Sequence, residues 1–66
     1  MEIKHKLQHL VPHWIEHNQA HAAAYGEWAK KASEAGLDQV ASGIQDAVAA
    51  VEKANEALLK ALGQLG

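Results

Sequence analysis

The stretch KKASEAGLDQV, residues 30–40, decides the fold of this chain, because it contains the signals that end one helix and begin another. Gly36 suits the left-handed conformation that commonly follows the last residue of a helix. Lys30 and Lys31 precede it, where positive charge complements the carbonyl end of a helix. Asp38 lies in the opening turn of the next segment, where acidic residues are favoured. The stretch therefore predicts a turn between two helices.

Helix-forming residues fill the chain on both sides of this turn. Ala, Glu, Lys, Leu and Gln occupy most positions, and no segment alternates as a strand would. We predict one all-α domain over residues 1–66, an antiparallel hairpin with helix 1 over residues 12–35 and helix 2 over residues 38–63. Pro12 sets the start of helix 1, because proline is tolerated in a first turn. Residues 1–11 are then an N-terminal extension or a short helix, with a break or kink near Val11.

The apolar stripe on the second helix is wider than one neighbouring helix can cover. Two series that each repeat every seven positions form it: Leu37, Ile44, Val51 and Leu58, and Val40, Ala47, Ala54 and Ala61. Two helices of about 24 residues cannot enclose a core between them. Two hairpins packed into a four-helix bundle would bury the apolar stripe of each helix, so we predict a homodimer. Trp14, Tyr25 and Trp28, at helical spacing, are the predicted anchors of the core or of the dimer interface.

Composition excludes several classes of protein. The absence of cysteine excludes disulfides, thiolate metal sites, iron–sulfur clusters and covalent haem attachment. A formal net charge of −2, with six lysines and no clustered basic face, argues against binding to nucleic acid. No apolar run approaches the roughly 20 residues of a membrane span, so we expect a soluble, cytoplasmic protein that does not bind membranes.

Five histidines recur at every fourth position: His5, His9, His13, His17 and His21. Four residues advance about 400° around an α-helix, so neighbouring histidines share a face and two imidazoles can chelate one ion. The drift of about 40° per step keeps all five from meeting at one ion. The candidate ligands are therefore His13, His17 and His21, with Glu16 beside the first pair. Imidazole and carboxylate ligands suit Zn, Ni or Co. Haem between facing histidines is an open alternative that no residue specifically favours.

Folding the hairpin about Gly36 brings polar residues of the two helices to the same level. His17, Asn18, His21 and Asn55 form a candidate polar layer, with Glu52 at its edge. These residues support a metal carrier, sensor or store that uses His17 and His21. They equally suit a ligand-free oligomerisation module, in which buried His and Asn fix register and partner number.

A third hypothesis is a bundle that responds to pH. Protonation of all five histidines would change the formal charge from −2 to +3. Repulsion between imidazolium groups would then loosen the oligomer between about pH 5 and 7.

An enzymatic role is not expected. HWIEH, residues 13–17, matches the HxxEH pattern of inverted zinc peptidases, but those enzymes need a further ligand, a cleft and a far longer chain. The ExxH signature of ferritin-like proteins is absent, because Gln19 follows Glu16 at the third position. The sequence also offers no pair of nucleophile and base.

From about Pro12 onward, the chain resembles short prokaryotic helical-hairpin domains to which no activity is assigned. The resemblance covers about four fifths of the chain and depends on three stretches: HWIEHNQAH (residues 13–21), EWAKKASEAGL (residues 27–37) and EKANEALLKALG (residues 52–63). It implies a helical hairpin and leaves the ligand open.

Overall fold

A computed structural model describes residues 2–66 as two long antiparallel helices joined by a short turn. α1 spans Glu2–Glu34 and α2 spans Asp38–Leu65. The part of the chain that the model describes contains no strand, so the predicted all-α helical hairpin is confirmed. This part measures 52 × 14 × 12 Å, the shape of a rod two helices wide.

The turn is closed by the hydrogen bonds of a Schellman motif. Gly36 has a φ of 79°, the left-handed conformation that the sequence predicts for it. Its N–H donates to the Ser33 carbonyl at 3.0 Å, and the Leu37 N–H donates to the Ala32 carbonyl at 2.9 Å. Both carbonyls lie in the last turn of α1, where the helix itself offers no partner. Asp38 then lies in the first turn of α2, as predicted.

α1 continues through Pro12, so the first helix begins at Glu2 and not near residue 12. Proline inside a helix removes one backbone hydrogen bond and costs about 3 kcal/mol. Tertiary contacts at this level offset that cost. Val11 is buried against α2, and the Gln8 side-chain amide donates to the Leu65 carbonyl at 3.1 Å. The predicted helix 1, residues 12–35, is therefore too short at its N-terminal end, because the prediction considered only the local preference of Pro12.

The core is a narrow seam between the two helices. Its buried residues are Val11, Ile15, Ala29, Ala41 and the polar Asn55. Among the described residues, no large side chain is fully buried. A hairpin of this shape leaves much of its apolar surface uncovered, because each helix has only one neighbour.

Candidate metal centre and the two sides of the hairpin

The histidines form a continuous row along the exposed surface of α1. The ring centroids of His17 and His21 are 4.5 Å apart and the rings meet edge to face. The centroids of His13 and His17 are 6.2 Å apart. Tyr25 extends the row, because its ring stacks on His21 with centroids 5.8 Å apart and an interplanar angle of 24°. The row therefore runs over four side chains, with its closest pair in the middle.

The 4.5 Å between the two centroids lies within the range for two imidazoles on one ion, and the edge-to-face rings must turn about their side-chain bonds before both rings aim a nitrogen at it. With metal–nitrogen bonds of about 2.0–2.1 Å, each ring centroid lies about 3.2 Å from the ion. Ligand angles of about 90–110° then place the two centroids about 4.5–5.2 Å apart. The 6.2 Å between His13 and His17 exceeds this range, so His13 needs a different rotamer to join the same ion.

The two long sides of the hairpin differ in chemistry. One groove is lined by His13, Trp14, His17, Asn18 and Leu58. Trp28 lies fourteen residues after Trp14, and therefore on the same side, where it lines a second groove with Leu37 and Val40. The α2 residues at heptad spacing from Val40 continue this side toward the chain ends. We call this surface the histidine face, which comprises Leu10, Trp14, His17, His21, Trp28, Val40, Ala47, Ala54 and Ala61.

The opposite side is more polar. Its groove is lined by Gln19, Ala22, Ala23, Val48, Glu52, Asn55, Glu56 and Leu59. We call this surface the glutamate side. Glu52, expected at the edge of the polar layer near His21, lies here and therefore away from the closest histidine pair. Glu16 is exposed on α1. Neither carboxylate is among the residues that line the groove with His13 and His17.

The two asparagines connect the helices at the level of the histidines. The Asn18 amide donates to the Asn55 side-chain oxygen at 2.9 Å. The Asn55 amide in turn donates to the Ile15 backbone carbonyl at 3.3 Å. Asn55 is only 9% exposed, so these bonds satisfy a buried polar group that would otherwise destabilise the seam. His17 and His21 are exposed and do not share this buried position.

The aromatic residues are exposed in a single hairpin. Trp14 is 42% exposed, Tyr25 37% and Trp28 61%. The alternative that these residues form the core is therefore wrong for one chain, because the seam is too narrow to admit them. Their predicted role in a dimer interface stays a prediction. Lys31 lies over the Trp28 ring, with its amino nitrogen 4.3 Å from the centroid.

Two contacts were not anticipated from the sequence. The hydrogen bond between Gln8 and Leu65 connects the two helices at the end of the hairpin opposite the turn. The sequence pattern that could have predicted it is the position of Gln8 seven residues before Ile15, on the same face of α1. The stacking of Tyr25 on His21 was missed, although Tyr25 continues the four-residue spacing of the histidines.

Residues 2–66 contain no group of three or more His, Asp or Glu side chains placed to hold a metal ion. Neither helix in this part of the chain combines the length and the apolar character needed to cross a lipid bilayer.

Comparison with known proteins gives a family match. A family described as "Domain of unknown function (DUF8180)" matches residues 7–65, almost the whole hairpin. No curated protein and no solved structure matches the chain.

Proposed function

We propose that this chain, which belongs to the DUF8180 family, is a self-associating helical module. It binds a transition-metal ion through His17 and His21. The observation that carries the proposal is the 4.5 Å between the two ring centroids. We propose a cytoplasmic carrier, sensor or store without enzymatic activity, with Zn, Ni or Co as the ion. His13 and Glu16 support the site, and the prokaryotic HWIEHNxxH stretch, residues 13–21, is its signature.

The exposure of both imidazoles is compatible with this role. An ion that is exchanged with a partner must be reachable, and His17 and His21 are both exposed. One chain supplies two imidazoles from this pair, whereas tetrahedral zinc takes four ligands. Water or a second chain would supply the others. In a single chain this pair is open to solvent, and the ligands that complete the coordination decide whether the bound ion stays exchangeable.

Titration of the protein with Zn(II), Ni(II) and Co(II), followed by native mass spectrometry, tests the proposal. We expect a fixed number of ions per oligomer and a preference among the three metals. The variant His17→Ala/His21→Ala should lose binding while its helical circular dichroism stays unchanged. The matched control is His5→Ala/His9→Ala, which removes another pair at the same spacing and should keep binding. Equal affinity of both variants would contradict the proposal.

A second candidate is a ligand-free oligomerisation module. The hydrogen bond between the partly buried Asn18 and the buried Asn55 favours it, because this bond fixes the register of α1 against α2 within one chain without any ion. Under this proposal, a chelator leaves the melting temperature unchanged, and substitution of either asparagine changes the size of the oligomer. Metal-dependent melting would instead favour the first proposal.

A further inference from the structure

The histidine face has no charged residue along α2, and on α1 the Lys31 amino group lies over the Trp28 ring that forms part of this face. Its α2 residues, Val40, Ala47, Ala54 and Ala61, are all exposed and uncharged. From α1, Trp14 and Trp28 project beside them with 42% and 61% of their surface exposed. Aromatic residues are enriched in protein interfaces, and small neighbours leave room for their rings to pack.

The distribution of charge along the hairpin favours a second copy of this chain as the occupant. Residues 2–13 and 58–65 carry three lysines and one glutamate, a formal charge of +2 with neutral histidines. Residues 27–46 carry four acids and two lysines, a formal charge of −2. Two hairpins in opposite directions therefore bring each positive end next to a negative turn. Parallel hairpins would place like charges together, which is unfavourable.

The area of the face suits a dimer of two hairpins. A side 52 Å long and 14 Å wide has a flat area of about 700 Å², before the relief of its side chains is counted. Stable protein interfaces bury about 800 Å² per partner. One histidine face covered by another is therefore of the size of a standard protein interface.

We infer that two copies pack histidine face to histidine face in opposite directions, around a two-fold axis that crosses the hairpin between His17 and His21. The midpoint between Glu2 and Gly36 falls at Gln19, so full overlap of two hairpins puts the axis at this level. This inference deepens the self-association in the proposed function. It names the surface, the direction and the partner.

The axis assembles a site that one chain only half provides. His17 and His21 each lie two residues from Gln19, or about 3 Å along the helix. The symmetry brings the second pair of imidazoles to the same level, and four imidazoles meet the ligand number of tetrahedral zinc. The same overlap places Trp14 over small residues of the second copy. Trp14 lies five residues before Gln19, so the axis brings it to the level of Ala24 of the partner subunit, five residues after Gln19.

Cysteine cross-linking tests the geometry without metal, because the chain has no native cysteine. Ala54 lies at the level of Gln19, so Ala54→Cys should form a disulfide-linked dimer under mild oxidation with a chelator present. A mixture of Ala47→Cys and Ala61→Cys chains should give a mixed disulfide, whereas Ala47→Cys alone should not cross-link. Leu59→Cys, on the glutamate side, is the matched control and should stay uncross-linked.

A substitution that introduces a charge at the proposed two-fold axis provides a second test. Ala54→Glu places two carboxylates face to face and should raise the dimer dissociation constant at least about 100-fold in sedimentation. Ala49→Glu adds the same charge to an exposed position on the glutamate side and should leave the constant within about threefold.

Four outcomes overturn the inference: a monomer for the unsubstituted chain at high micromolar concentration, no disulfide-linked dimer with Ala54→Cys, cross-linking through Leu59→Cys, or dissociation by Ala49→Glu alone. The monomer would assign the face to a helix of another protein. Failure of metal binding by a dimer that cross-links at Ala54→Cys contradicts the proposed metal function and leaves the inference intact.

Discussion

The histidine face and the glutamate side are formed by the same two helices, yet they expose side chains of different polarity to solvent. The glutamate side exposes Glu52 and Glu56 around its groove, and charged side chains of this kind are well solvated. The histidine face exposes two tryptophans and a row of alanines. A two-helix seam leaves the two sides of the hairpin free to differ in polarity. In the proposed dimer, the histidine face is the side that self-associates.

Truncation of an exposed residue on each side gives the largest expected contrast. Trp28→Ala should lower the free energy of unfolding of the assembled protein by about 2–4 kcal/mol, because the second copy in the proposed dimer covers the ring. Leu59→Ala should cost less than about 1 kcal/mol, although Leu59 is similarly exposed in one chain. Urea denaturation at two protein concentrations measures both values. Equal, concentration-independent losses would remove the distinction between the two sides.

The asparagine pair lies between the two sides and offers the next contrast. Asn55→Ala should destabilise the protein by about 1–3 kcal/mol, since it leaves the Asn18 amide without its partner in a partly buried position. Replacing both residues, as in Asn18→Leu/Asn55→Leu, should restore most of the stability but broaden the distribution of oligomers. Thermal denaturation and sedimentation measure the two effects. A double variant less stable than Asn55→Ala would argue against this account of the pair.

Glycines on the two sides give the smallest contrast. An added Cβ meets nothing within 4 Å at Gly26, on the glutamate side, or at Gly43, beside Val40 on α2. Gly26→Ala should stabilise the protein by about 0.5–1 kcal/mol through helix propensity. Gly43→Ala should gain less if the proposed dimer forms, because the methyl group then meets a helix of the second copy. Gly36→Ala is the control of opposite sign, since its φ of 79° strains any side chain by about 1–2 kcal/mol.

A gain at Gly43 equal to that at Gly26, measured by thermal denaturation of the dimer, would show that no neighbour crowds the histidine face there. A stabilised Gly36→Ala would contradict the turn itself, because the left-handed conformation would then not be required.

Local signals accounted for most of the backbone. Gly36 and Asp38 were recognised because the end of one helix and the start of the next depend on residues within a few positions. The start of α1 was misjudged because Pro12 has a strong local preference. Whether that preference ends a helix depends on contacts with residues near the far end of the chain, such as Leu65. Periodicity likewise identified the histidine row, since a fixed spacing of four needs only a helix to become a row.

The two helices, their turn and the succession of histidines follow from the amino-acid sequence alone, because they depend on hydrogen bonding and side-chain spacing within each helix. The side of the hairpin on which each residue lies depends on how the two helices pack. It set Glu52 apart from His21, paired Asn18 with Asn55 across the seam and left Trp14 and Trp28 outside it. The physical reason is that packing rotates each helix about its axis to bury one narrow strip. A rotation of a few tens of degrees, which no local signal specifies, moves a side chain from one groove to the other.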